Sequence, residues 1–382
     1  MKTGSADLPL HGGHCPPGLF EDMKDLADAM FEAMLLEFGR EEVVRRFSDP
    51  GWFQSFGCTL GVDWHSSGLT TVVCGALKEV LNERADELGL FLAGGKGATS
   101  RKTPDELETF VDETAPELPL DTLQDTSRRT AQVDSSALQD GFDVYHHVFL
   151  VSTEGDWSVI QQGIDEESGW ARRYHWWNET AGNFLDDPHE GIASTGTGST
   201  LNLADEASDE NRSVSVEMVR DDPVGTLGEF TKLLDYWDDT RRRLELPDRH
   251  SLPQKNHLEN RLGELYDRPP EDFSDLLDRE GVGKKTVRAL SMVADVVWGA
   301  APSYEDPARY SFAHGGKDGY PRPVDKDQYR ESIDVLSDAI RRSRVGDDSK
   351  MKAFERLKTS FAEEGCQRSP EGNHRSPTPG AP

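Results

Sequence analysis

Residues 273–290 read FSDLLDREGVGKKTVRAL, and the helical part of the fold is read outward from them. Phe273, Leu276 and Leu277 share one face of a short helix. Gly281-Val282-Gly283 marks a tight turn. Val287, Leu290, Ala294 and Val297 then recur at the spacing of a second, longer helix. The glycines let the turn enter backbone conformations closed to other residues. The second helix opens with free backbone N–H groups, which suit a phosphate oxygen. Lys284, Lys285 and Arg288 bring positive charge to that end. The expected contacts to a phosphate backbone are therefore Gly281, Val282, Gly283, Lys284 and Arg288. A plain helical hairpin in a core is the alternative.

The chain of 382 residues has room for two or three domains. It carries 42 Lys and Arg against 71 Asp and Glu, a formal net charge of -29. Only 14 of the 42 bases are lysine. An acidic, lysine-poor composition fits a salt-rich cytoplasm, and such a bias acts on a chain whatever its partner. The charge alone would argue against nucleic acid, so the local basic stretches carry more weight. The four cysteines lie at 15, 58, 74 and 366 with no C-x-x-C pair. That spacing suits reduced thiols and neither a structural zinc nor an iron–sulfur cluster. No apolar run is long enough to span a membrane. The first residues, MKTGSADLPLHGG, lack the apolar core of a signal peptide. The expected location is cytoplasmic.

Leu19 to Phe38 and Leu69 to Leu88 read as amphipathic helices, the first stopped by Gly39. LFLA (90–93) is a short apolar run before GGKG (94–97), and Thr103-Pro104-Asp105-Glu106 reads as a capped helix start. DVYHHVFLV and WSVIQQGI, joined around Gly155, predict a β-hairpin over 143–164. GWARRYHWW (169–177) interleaves arginine and aromatics, as a stacking platform for bases or a hydrophobic edge would. The fold class expected is α+β, an N-terminal α/β domain followed by an all-helical domain built on the hairpin. Its divisions are an α/β domain over 1–185, a polar linker over 186–213, the helical domain over 214–345, and a terminal helix and disordered tail over 346–382. A last amphipathic helix is expected from about 326 to 343, with Tyr329, Ile333, Leu336 and Ile340 as its stripe.

Two resemblances add to this. TGSADLPLHGG (3–13), SDPGWFQSFG (48–57), DWHSSGLTT (63–71), AGGKGATSRKTP (93–104), VDSSALQDGFDVYHHVF (133–149), ARRYHW (171–176) and DPARYSFAHGGKDG (306–319) resemble the archaeal and thermophile family catalogued as domain-of-unknown-function family 763. That family implies no activity. The segment from Phe273 is similar to the helix-hairpin-helix motif of DNA glycosylases in the endonuclease III and 8-oxoguanine glycosylase superfamily. In bifunctional members a lysine of the hairpin's second helix attacks the sugar, and an aspartate assists from beyond a Gly/Pro-rich segment. The resemblance puts those roles on Lys285 and on Asp325 of PRPVD. A nucleophilic amine must be held deprotonated, which partial burial and neighbouring charge would favour. Trp298, Tyr304, Tyr310 and Phe312 are candidates to stack on a base. Asp325 also fits a helix cap, with Gln328 three residues on.

Other clusters extend the candidate surface. AGGKGATSRK (93–102) sets Lys96, Arg101 and Lys102 among glycines, an expected anion site without the spacing of a P-loop. FAHGGKDG (312–319) offers His314, Lys317 and Asp318 as pocket residues, with Arg322 nearby. Asp63, His65, Asp134, Asp140, Asp143, His146 and His147 form a looser set that could hold a divalent metal in a nuclease. Period-two spacing puts Asp143, Tyr145 and His147 on one strand face and Val144, His146 and Val148 on the other. HGGHC (11–15) is a weak zinc candidate. No metal site is assigned.

The expectation is a DNA-binding protein of DNA repair, with RNA as an alternative partner and no membrane. Base excision is the chemistry that the resemblance implies, with no cofactor. A metal-dependent nuclease using the N-terminal domain and a non-catalytic nucleic-acid-binding protein are the alternatives, the first requiring a divalent metal.

Overall fold

The computed structural model describes residues 17–62, 67–194, 197–244, 246–247, 250–308, 310–311 and 326–365. Helix α1 (Pro17–Phe47) carries the stripe read at 19–38, and Gly39 breaks it with a φ of 79° before the chain turns helical again. The Asp49 carboxylate accepts from the N–H groups of Gly51 and Trp52 and caps α2 (Pro50–Leu60). Leu69, Val73, Leu77 and Leu81 form the buried face of α3 (Gly68–Glu83). The one-turn α4 (Ala85–Leu88) leads into strand β1 (Leu90–Lys96) and a 3-10 turn over 97–102. Next come α5 (Thr103–Glu113) and α6 (Leu120–Gln132). Thr103, expected as the cap of α5, is already helical, and its hydroxyl donates to the Ser100 carbonyl.

A π-turn over 133–137 delivers the chain to β2 (Leu138–Gln139). Strands β3 (Asp143–Ser152), β4 (Trp157–Asp165) and β5 (Trp170–Trp177) form an antiparallel meander whose first two members are the predicted hairpin. The short β6 (Gly191–Ser194) and β7 (Leu201–Asn202) follow. Five helices come next: α7 (Asp209–Asp221), α8 (Pro223–Arg243), α9 (Lys255–Asp267), α10 (Phe273–Asp278) and α11 (Lys284–Val293). The described chain closes with β8 (Tyr310–Ser311), α12 (Lys326–Arg342) and α13 (Asp347–Gly365).

The main sheet runs β1-β3-β4-β5-β6-β8, antiparallel except for the parallel β6–β8 pair, while β2 pairs with β7. Each face is buried against helices. Phe149, Val151, Val159 and Trp176 share a core with Leu107, Leu123, Phe230, Leu258 and Leu290 of the α5–α11 layer. Val148, Leu150, Ile160 and Trp177 pack with α1–α3 and with Leu336, Ile340 and Leu357 of α12 and α13. The fold is thus a mixed one, with helices on both faces of a largely antiparallel sheet.

This packing corrects several expectations. The stretch 186–213 is not a linker: it contains β6, β7 and the start of α7, and Ile192, Leu201 and Leu203 are buried. Its small polar residues hide strands of only two and four residues. The helical segment shares its core with α5 and α6, so the boundary expected there does not separate two cores. Helix α12 lies where the stripe predicted it, yet packs on α1 and α2 in the opposite layer from the hairpin. GWARRYHWW is an interior strand, and Arg172, Arg173, Tyr174 and Trp176 are all buried. It offers no exposed platform to bases.

A bulge also changes which residues of β3 share a face. The register slips between Val144 and His146, so Tyr145 is the extra residue. His147 pairs with Gln161 and stands over Tyr174 on the α5–α11 side. Tyr145 and His146 lie with Gln162 on the other, where the Gln162 amide donates to the Tyr145 hydroxyl at 2.6 Å.

Candidate nucleic-acid interface

Helices α10 and α11 are joined by a turn over 279–283. Asp272 caps α10 by accepting from the Asp275 N–H. Phe273, Leu276 and Leu277 are buried. Gly281 has a φ of 77°, and the Arg261 guanidinium occupies the space a Cβ would need while donating to the Glu280 carbonyl at 3.1 Å. Val282 turns inward at 9% exposure. Gly283 has no side chain with which to cap α11. The helix therefore opens without a side-chain cap, its first N–H groups lacking intrahelical partners, beside the exposed Lys284 and Lys285. Thr286, Val287 and Leu290 face the core.

Arg288 does not join that exposed group. It is 2% exposed, donating to the Gln139 Oε1 at 2.7 Å and to the Ser251 carbonyl. Burial lowers its pKa to about 10. Four residues into α11, its side chain points toward β2 rather than along the helix axis, so it holds layers together and cannot reach a phosphate.

The corner between β2 and β3 fixes the hairpin in place. The Gln139 amide donates to the Ser136 carbonyl at 2.7 Å and to the Lys284 carbonyl at 2.9 Å. The Lys284 ammonium pairs with Asp143, the first residue of β3. The other expected anion site meets the same strand end. Lys96 is opposite His146 in the ladder, with its ammonium 5.7 Å from the centre of the Tyr145 ring. Behind it, Glu106 accepts from the Gly94 N–H and pairs with Lys78, which also donates to the Gly94 carbonyl at 2.7 Å. Gly94 must be glycine here: its φ is 92° and a Cβ would run into the His147 carbonyl. Arg101 and Lys102 are exposed on the 3-10 turn that follows. Lys96 and Lys284 thus abut the first residues of one strand, although 188 positions separate them in the chain.

The proposed nucleophile is less well placed. Lys285 is exposed, whereas an amine held deprotonated needs a more buried setting. Its expected partner Asp325 lies outside the described residues. So do His314, Lys317, Asp318, Arg322 and Phe312, as well as Asp63, His65 and the 11–15 segment. Trp298 is half exposed, while Tyr304 is largely buried and donates its hydroxyl to Asp295 at 3.1 Å.

The loose carboxylate–histidine set is dispersed. Among the described residues, no group of three or more His, Cys, Asp or Glu could hold a metal ion. Asp140 pairs with Arg172 at 2.9 Å and accepts from the Tyr174 hydroxyl at 2.7 Å; burial pushes its carboxyl up against the pull of Arg172. Asp143 belongs to Lys284. His146 and His147 face opposite layers.

Asp134 and His147 instead belong to a buried relay that the sequence reading missed. Asp134, on the π-turn, accepts from His189 at 2.6 Å, from the Trp176 indole at 2.9 Å and from Gln161. The Gln161 amide nitrogen also donates to the Thr130 carbonyl, so its oxygen faces His147 Nδ1 at 3.1 Å. The His147 proton is thereby assigned to Nδ1, leaving Nε2 to accept from the Ser127 hydroxyl at 2.9 Å. Burial lowers the His147 pKa and keeps the ring neutral. An orienting amide, a base and a hydroxyl in this order could polarise Ser127, but Ser127 is only 4% exposed, so the relay binds helix to sheet. The local signal is the β-rich run of 143–164, in which Gln161 and Gln162 stand out as polar residues.

No curated protein and no solved structure matches the chain. A family model described as "Protein of unknown function (DUF763)" matches residues 4–324. That match runs through the sheet, both anion-site candidates and the α10–α11 turn, and on it the chain belongs to the DUF763 family.

Proposed function

We propose that this protein binds DNA through its phosphate backbone, with the α10–α11 turn as the principal contact and the loop after β1 as a second. The observation that carries the reading is the uncapped start of α11 beside the exposed Lys284 and Lys285. N–H groups without intrahelical partners, the positive end of a helix dipole and two ammonium groups all favour an anion at that point. Lys96 at the same strand end, with Arg101 and Lys102 beyond it, supports a second phosphate contact. Contacts of this type hold the backbone and read no bases. Base excision by Lys285 forms no part of the proposal, because its amine is exposed.

Fluorescence anisotropy with labelled duplex and single-stranded oligonucleotides tests the reading. The Lys284→Ala, Lys285→Ala double variant should bind roughly ten-fold more weakly at low salt. Its salt dependence should also be shallower, by about one unit of slope for each phosphate left without its lysine. Equal binding by the wild type and the double variant would overturn the assignment of the contact to this turn.

A further inference from the structure

We infer that Asp143 is an internal competitor for the phosphate-binding end of α11, so that the free protein covers its own contact point with a carboxylate. This rests on the nucleic-acid reading above. Asp143 and Lys284 are 141 positions apart in the chain and meet as an ion pair, with side chains 64% and 46% exposed. A pair so open to water contributes little to stability. It is not what fixes the hairpin either. The buried Gln139 already joins the Lys284 carbonyl to β2 at 2.9 Å and accepts from Arg288 at 2.7 Å. The ion pair is therefore spare as a fastener. Its position has another effect: it sets a carboxylate on the ammonium of the first residue of α11, the helix that Gly283 leaves uncapped. A phosphate oxygen is drawn to the same ammonium, so the two anions compete for it. Binding then proceeds by exchange: the phosphate takes Lys284, and the Asp143 carboxylate returns to water.

The exchange predicts that loss of the acid strengthens binding through Lys284 alone. Affinity for a fluorescein-labelled duplex oligonucleotide would be measured for Asp143→Asn, for Lys284→Ala and for the two combined. Glu280→Gln serves as the control, because it removes an exposed carboxylate from the turn itself. Asp143→Asn should tighten binding about three-fold at low salt, with the gain fading as salt screens the pair. The gain should vanish in the Lys284→Ala background and should exceed that of Glu280→Gln. An equal gain from Glu280→Gln, or a gain that persists without Lys284, would reduce the effect to general charge and overturn the competitor. Wild-type binding unmoved by Asp143→Asn overturns it while leaving the binding reading intact. Absence of binding in every variant overturns both.

Discussion

At the scale of single residues, the buried imidazoles make the largest statement about solution behaviour. Burial, aided by the neighbouring His147 and Lys96, lowers the His146 pKa to about 3, and among the described residues neither ring nitrogen has a hydrogen-bond partner. In the unfolded chain the same ring titrates near its ordinary value, about 6.5. Between those values the unfolded chain takes up a proton that the folded chain refuses. Stability is therefore full above about pH 6.5 and falls as the pH drops toward 3. For this one group the loss between pH 7 and pH 5 is on the order of 2 kcal/mol. Burial lowers the pKa of His147 and His175 as well, so they act in the same direction. Urea unfolding at the two pH values should show the loss, and His146→Leu should show a smaller one. An identical pH dependence in the variant would remove His146 from the explanation. The histidines were legible in the sequence as a strand pair, but their roles were not. Alternation assigns faces by counting, and the bulge at Tyr145 adds one to the count. Arg288 is a similar case: the sequence groups it with Lys284 and Lys285 as positive charge at the head of the helix, while burial against Gln139 sets it inside.

At the scale of elements, apolar periodicity was a good guide to where helices lie and a poor one to what they pack against. The stripe of α12 predicted a helix from 326 to 343, and α12 ends at Arg342. Nothing in that stripe says that Leu336 and Ile340 meet α1 and α2 rather than the neighbouring hairpin. Ile340 is fully buried. Ile340→Ala should cost about 2–4 kcal/mol in urea unfolding, through reduced burial and the cavity left behind. A cost under about 1 kcal/mol would mean that the helix rests loosely on the layer. The hairpin over 143–164 and the α10–α11 turn were legible because strong turn residues interrupt clear apolar patterns. Strands β6 and β7 were hidden in 186–213, since two to four residues are too few to display alternation. Strand β5 was hidden by its arginines. A buried arginine needs a partner from elsewhere in the fold, and Asp306 meets Arg172 across 134 positions. The two basic loops could each be read locally, whereas their meeting at one end of β3 follows only from strand order.

At the scale of the whole molecule, charge and partner pull in opposite directions. A net charge of -29 repels itself in the compact state, and salt screens that repulsion. Raising KCl from about 0.1 M to about 2 M should raise the thermal midpoint by several degrees, as differential scanning fluorimetry would record. The same change weakens a phosphate contact. A midpoint that falls with KCl would show that ion pairs outweigh the net repulsion. Among the described residues no helix is long and apolar enough to cross a membrane. The return of α12 and α13 to the layer built by α1–α3 has a consequence for the chain as it is made. A ribosome releases α1 early and α12 nearly 280 residues later. At roughly 10 residues per second, that interval is on the order of half a minute. Throughout it, the first helices present an apolar face whose natural cover has not yet been synthesised. The nascent protein must wait with its earliest helices unfinished, and its last two helices end the wait.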